Sequence, residues 1–133
     1  MADLVYLGTS FISHLTAVPS RNVIVAGRQQ LTWEWWHRRR GAFDVVVSEL
    51  VHLESADGDP EAAARRAEAL AELRSVEIAP EAEVLAAALL QGAALPMKAR
   101  ADALHIAIED YLDRAGRRDE IATILKSPKK VPS

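Results

Sequence analysis

Phe43-Asp44-Val45-Val46-Val47-Ser48-Glu49-Leu50-Val51-His52-Leu53-Glu54 is the stretch from which the fold is read. Three consecutive valines are β-branched and suit a pleated, buried surface. Ser48 follows, with a hydroxyl able to accept from an N–H in a first helical turn. Glu49, Leu50, Leu53 and Glu54 then recur at the spacing of a short helix. A strand that passes through one capping residue into a helix is the repeating unit of α/β architecture.

Working outward, Leu4-Val5-Tyr6-Leu7 is a second apolar run, and it stops at Gly8. Thr9 and Ser10 offer cap hydroxyls for a helix through Phe11–Leu15. Pro19-Ser20 breaks that helix, and Ser20 can cap a longer one over about 21–40, with Gly41 as the expected terminator. That helix carries Val23, Ile24, Ala26, Gln30, Leu31, Trp35 and Trp36. On the other side, Asp57-Gly58-Asp59-Pro60 signals a turn and a helix start, the helix running to Leu73. Val76-Glu77-Ile78 reads as a third strand. Pro80 opens a helix ending near Gly92, and Pro96 opens a last helix through about Ala115. Strands are expected at residues 4–7, 44–47 and 76–78, parallel, with the first strand central. The fold class is α/β, a helix-rich parallel sheet flanked by helices. Residues 1–125 read as one domain, and the polar, proline-interrupted 126–133 as a disordered tail.

The chain has 133 residues, of which 50% are hydrophobic and 26% charged, a globular balance sized for one core. A net charge of −3 supplies no general basic field for nucleic acid, so RNA contact needs a local patch. Cysteine is absent, which removes disulfides and thiolate metal sites. No apolar run has the length of a membrane span, and Met1-Ala2-Asp3 opens with an acid rather than a basic signal region. A cytoplasmic protein with no membrane partner is the expectation.

In an α/β sheet, ligands bind beyond the carboxyl ends of the strands. Glu54 lies just past the second strand, and Asp102 lies in the second turn of the helix begun by Pro96. Such a carboxylate pair suits Mg²⁺ or Mn²⁺, which take oxygen ligands and share them with substrate phosphates. Taken alone, an acid after a strand is more often a solvated surface residue.

Three segments in order add a resemblance. Val5-Tyr6-Leu7-Gly8-Thr9-Ser10, Val46 through Glu54, and Ala101-Asp102-Ala103-Leu104-His105-Ile106-Ala107 resemble the three acidic motifs of PIN domains, the ribonuclease fold of VapC-like toxins. The likeness spans roughly residues 4–108, including the Gly-Asp-Pro turn and the Trp35-Trp36 helix. It implies a PIN-like sheet and hydrolysis of RNA phosphodiesters by metal-activated water. It further implies Glu54 and Asp102 as catalytic and metal-binding acids, and Mg²⁺ or Mn²⁺ as cofactor. RNA is the implied substrate, with an antitoxin-like protein or a second copy of the chain as partner. Two departures matter. The family's first motif reads Leu-Asp-Thr-Ser, and the position of its aspartate is Gly8 here, which leaves the anionic cluster one charge short. After the third motif, Glu109-Asp110-Tyr111-Leu112 runs directly into Asp113-Arg114-Ala115-Gly116-Arg117-Arg118-Asp119-Glu120, without the late strand or fourth polar ligand of the family. The resemblance therefore implies impaired activity and weak metal binding, or a catalytically inactive module for RNA or an antitoxin-like protein.

Other residues carry weaker signals. Arg38-Arg39-Arg40 is the densest basic cluster and could meet RNA phosphates, although arginines at a helix C-terminus also complement its dipole. Trp33, Trp35 and Trp36 cannot all face one core, and an exposed Trp33 would suit base stacking or a protein partner. Ser10, adjacent to the site, is a cap rather than a nucleophile. Asp102, His105, Glu109 and Asp113 share one broad helix face, with His105 read as a partly buried helix residue rather than a base.

Overall fold

The computed structural model describes residues 3–91 and 96–117. In chain order, the elements are β1 (Asp3–Tyr6), α1 (Thr9–Thr16), α2 (Val23–Arg38), a 3₁₀ turn (Arg40–Ala42), β2 (Phe43–Ser48) and α3 (Glu49–Ser55). They continue with α4 (Pro60–Leu70), β3 (Arg74–Val76), α5 (Pro80–Leu89) and α6 (Met97–Arg117). The fold is α/β: a three-stranded parallel sheet with helices packed on it. Its order is β1-β2-β3, so the middle strand is β2 and not the first strand. Both crossovers step in the same direction across the sheet, and no described strand lies beyond β1. The expected tail over 126–133 and the segment 118–125 lie outside the described residues, whereas α5, expected to end near Gly92, ends at Leu89 with Leu90 as its cap residue.

The valine run of β2 explains its central place. Val45 and Val47 join Leu7, Ile12, Trp36, Val51, Leu70 and Leu73 in one cluster. Val46, pointing the other way, joins Val76, Ala82, Ala86, Ala107, Ile108 and Leu112 in a second. Alternation along a strand thus divides the core between the two faces of the sheet. Val46 and Val47 are both at 0% exposure, and burial of such a side chain is worth roughly 1.5–3 kcal/mol. The third strand ends at Val76, two residues earlier than expected. Val76 pairs with Ser48, the last residue of β2, so no partner remains beyond it.

Helix ends follow local hydrogen bonding. Asn22, not Ser20, caps α2, its side chain accepting from the N–H groups of Ile24 at 3.0 Å and Val25 at 3.1 Å. Ser20 stands one step back and accepts from the Asn22 N–H. Arg39 ends α2 in a right-handed conformation, and Gly41 falls within the 3₁₀ turn instead of terminating the helix. Asp59 caps α4 through the Ala62 N–H, with Pro60 at the first helical position. The turn before it uses Gly58 at φ 84°, a conformation that glycine adopts without penalty. That helix stops at Leu70, short of the expected Leu73. Among the described residues, no helix is long and apolar enough to cross a membrane.

Candidate active site

The parallel sheet places the carboxyl ends of β1 and β2 side by side, with Tyr6 beside Val46 and Ser48 closing β2. Ser48 is wholly buried, and its hydroxyl has two tasks. It accepts from the Val51 N–H at 3.4 Å, capping α3, and it lies 2.8 Å from the Tyr6 Oη. The same Oη lies 2.8 Å from Nδ1 of His105 on α6. The other ring nitrogen, Nε2, lies 2.7 Å from Oε1 of Glu54. Thr9, the first residue of α1, donates its hydroxyl to that same oxygen. One continuous hydrogen-bonded group therefore runs Ser48–Tyr6–His105–Glu54–Thr9.

This geometry corrects the expected caps of α1. Gly8 occupies the cap position without a side-chain bond, and Thr9 turns its hydroxyl to Glu54 instead. An ionised carboxylate is the stronger acceptor and rewards the donor more than a neutral cap does. Ser10 is exposed and takes no part in the group. Burial pushes the Tyr6 phenol up to about 12; its bond to Ser48 opposes the rise, while the charges of Glu109 and Glu54 add to it.

Of the two expected acids, Glu54 is half-buried and held by two donors, whereas Asp102 is exposed on α6. Asp102 stands outside the hydrogen-bonded group but precedes His105 by one helical turn, on the same face. His105, read from sequence as a partly buried helix residue, is half-buried and bonded on both ring nitrogens. Sequence reasoning missed Tyr6, Thr9 and His105 as linked participants. The usable signal was that each sits within a turn or two residues of a motif acid position. Gly8 adds no donor, yet a Cβ built there meets nothing within 4 Å. Its φ of −84° is ordinary for any L-residue. The backbone at position 8 thus accepts a side chain's first carbon without strain.

The basic cluster stands elsewhere. Arg38 and Arg39 close α2, and Arg40 opens the turn into β2, all at the amino end of that strand. A strand the length of β2 puts them about 17 Å from its carboxyl end. Arg40 lies over the Trp36 ring at 3.9 Å from its centroid and pairs with Glu72 at 3.4 Å. Arg38 and Arg39 are exposed. Trp36 is buried and Trp35 half-buried against Phe11 and Phe43, while Trp33 is exposed and packs on His37. The tryptophans are thus split between core and surface, as their spacing requires.

Among the described residues, no group of three or more His, Asp or Glu side chains is arranged to hold a metal ion. The donor chemistry of Glu54 and Asp102 still suits Mg²⁺ or Mn²⁺, since Mg²⁺ in particular keeps several waters and uses one or two carboxylates with substrate phosphates. Both bonds to Glu54 fall on Oε1, so neither engages Oε2. No family model, curated protein or solved structure matches the chain.

Proposed function

We propose that this chain is a PIN-like domain of the VapC type, a metal-dependent ribonuclease whose activity is impaired by glycine at position 8. One observation carries the reading. The three segments that resemble the acidic motifs meet in a single hydrogen-bonded group, through Thr9 to Glu54 across 45 residues and Glu54 to His105 across 51. Residues that far apart in sequence converge at the carboxyl ends of parallel strands, where α/β sheets place their ligands. Glu54 and Asp102 would hold Mg²⁺ or Mn²⁺. Such an ion supplies a polarised phosphate and a water of lowered pKa. Gly8 withholds the third anionic charge, and with it much of the potential that offsets dehydration of a small hard ion.

Single-stranded RNA incubated with Mg²⁺ or Mn²⁺ tests the reading. The unmodified chain is expected to cut little or not at all. Gly8→Asp should gain metal-dependent cleavage, and adding Glu54→Gln or Asp102→Asn should abolish it, because neutral amides cannot supply the charge. A Gly8→Asp protein that binds no metal and cuts no RNA would overturn the proposal. Equal metal affinity in the unmodified, Gly8→Asp and Asp102→Asn chains would do the same.

A second reading, an inactive module for an antitoxin-like protein, is favoured by one specific observation. Val18, Val23, Ile24, Leu31 and Trp33 are exposed large apolar residues on and just before α2; Val23, Ile24 and Leu31 share one face of that helix, and exposed apolar residues so placed serve as interface anchors. A module of this kind would keep its partner after Glu54→Gln and lose it on Leu31→Asp, and it would leave RNA uncut even as Gly8→Asp.

A further inference from the structure

We propose that Tyr6 and His105 are positioning residues, a relay anchored on the buried end of β2 that pins Glu54 by Oε1 so that it offers Oε2 alone as ligand oxygen. The proposal rests on the metal-dependent reading above for the ligand role, and on geometry alone for the relay.

The direction of the relay follows from the buried hydroxyls. Ser48 is fully buried and already accepts from the Val51 N–H, so the acceptor within reach of its own proton is Tyr6 Oη at 2.8 Å. Tyr6, having accepted from Ser48, donates onward to Nδ1 of His105 at 2.8 Å. A phenol keeps its proton through the whole neutral range and so can donate there. With Nδ1 accepting, the imidazole carries its proton on Nε2 and donates to Glu54 Oε1 at 2.7 Å. Thr9 donates to the same oxygen from α1. Every donor in this relay finds an acceptor, and each link is fixed to a different element: β2, β1, α6, α3 and α1.

The consequence concerns the shape of the site. A free glutamate samples many rotamers and can bind an ion through one oxygen or two. Two donors converging on Oε1 remove that freedom before any ligand arrives. An imidazole fixed by a partner on its far nitrogen orients a metal-site group from behind, and loss of such support generally costs 10–100-fold in metal affinity.

The test uses the full chain and Mn²⁺ alone as probe. Long-range proton–nitrogen spectra of the apo protein, with the His105 signals assigned by His105→Gln, should show Nδ1 unprotonated and Nε2 carrying the proton. Tyr6→Phe keeps the ring and deletes the hydroxyl, so His105 should lose this single form and show a mixture of both tautomers. A His105 protonated on Nδ1 in the parent, or one unchanged by Tyr6→Phe, overturns the relay. In the Gly8→Asp background, adding Tyr6→Phe should lower Mn²⁺ affinity about 10–100-fold. There His105→Gln, whose amide can still donate to Glu54, should lose less than His105→Ala; equal losses overturn positioning. If Tyr6→Phe fails to fold, the contrast between the two His105 variants decides the question. If Gly8→Asp binds no Mn²⁺ while the spectra show the fixed tautomer and its loss, the metal reading falls and the relay stands.

Discussion

Tyr6 shows how one side chain ties core to site. Its ring packs partly against both hydrophobic clusters, while its hydroxyl joins Ser48 and His105. The phenol is raised from 10.0 to about 12, with burial as the main cause. The folded state therefore keeps a proton that the unfolded chain releases above pH 10. That contribution to stability is complete below about pH 10 and is lost as pH rises through about 12. We expect the urea midpoint to fall across this interval, and to fall less in Tyr6→Phe, which has no phenol to ionise there. Parallel declines in the two proteins would mean that Tyr6 does not carry the alkaline transition. Glu54 illustrates the limit of legibility at this scale. Its side chain could be nominated because a strand and a cap precede it by a turn or two. Its partners could not, because Thr9 and His105 are brought to it by tertiary packing alone.

Among the elements, those whose signals are local were read closely. The Val45–Val47 run, the Ser48 cap and the Asp59-Pro60 start all act within four residues, and β2, α3 and α4 begin where those residues require. The failures came where two local solutions compete. Ser20 and Asn22 are both good caps, yet only Asn22 accepts from two helical N–H groups, while Ser20 is spent on Asn22 itself. Asn22→Ala should therefore destabilise the protein by about 1 kcal/mol, and Ser20→Ala by less. Urea unfolding of the two variants checks this, and a larger loss for Ser20→Ala would reverse the assignment. Thr9 likewise had two possible partners, its own helix or a carboxylate, and the charged acceptor prevailed. Strand lengths were set by neighbours: β3 ends where β2 ends, a limit that no reading of Val76–Ile78 alone contains.

For the whole molecule, the alternation of strands and helices was enough to specify a parallel α/β sheet, but strand order was not. Order depends on which way each crossover turns, and the two crossovers here leave β1 at the edge and β2 in the middle. The central strand then divides the core. Ile12, at 0% exposure, belongs to the cluster on one face with Val45 and Val47, and Ile108, at 2%, belongs to the cluster on the other with Val46. Removing one methylene from either should cost about 0.5–1.5 kcal/mol, since a sealed site relaxes only in part around the missing atoms. The coupling between them is the sharper question. Ile12 and Ile108 share no cluster, and besides the sheet backbone the two faces are linked through Tyr6, which packs against both clusters, and through the bonds of Thr9 and His105 to Glu54 at the strand ends. Energies at sites without common partners add to within about 0.3–0.5 kcal/mol. The Ile12→Val, Ile108→Val double variant should thus lose the sum of the single losses, measured by urea unfolding with an unchanged slope. An interaction energy well beyond 0.5 kcal/mol would mean that the two faces communicate. In that case the site at the strand ends, built from helices of both faces, would share their strain: α1 carries Thr9 and α6 carries His105, and the bond each makes to Glu54 would weaken when either core is loosened.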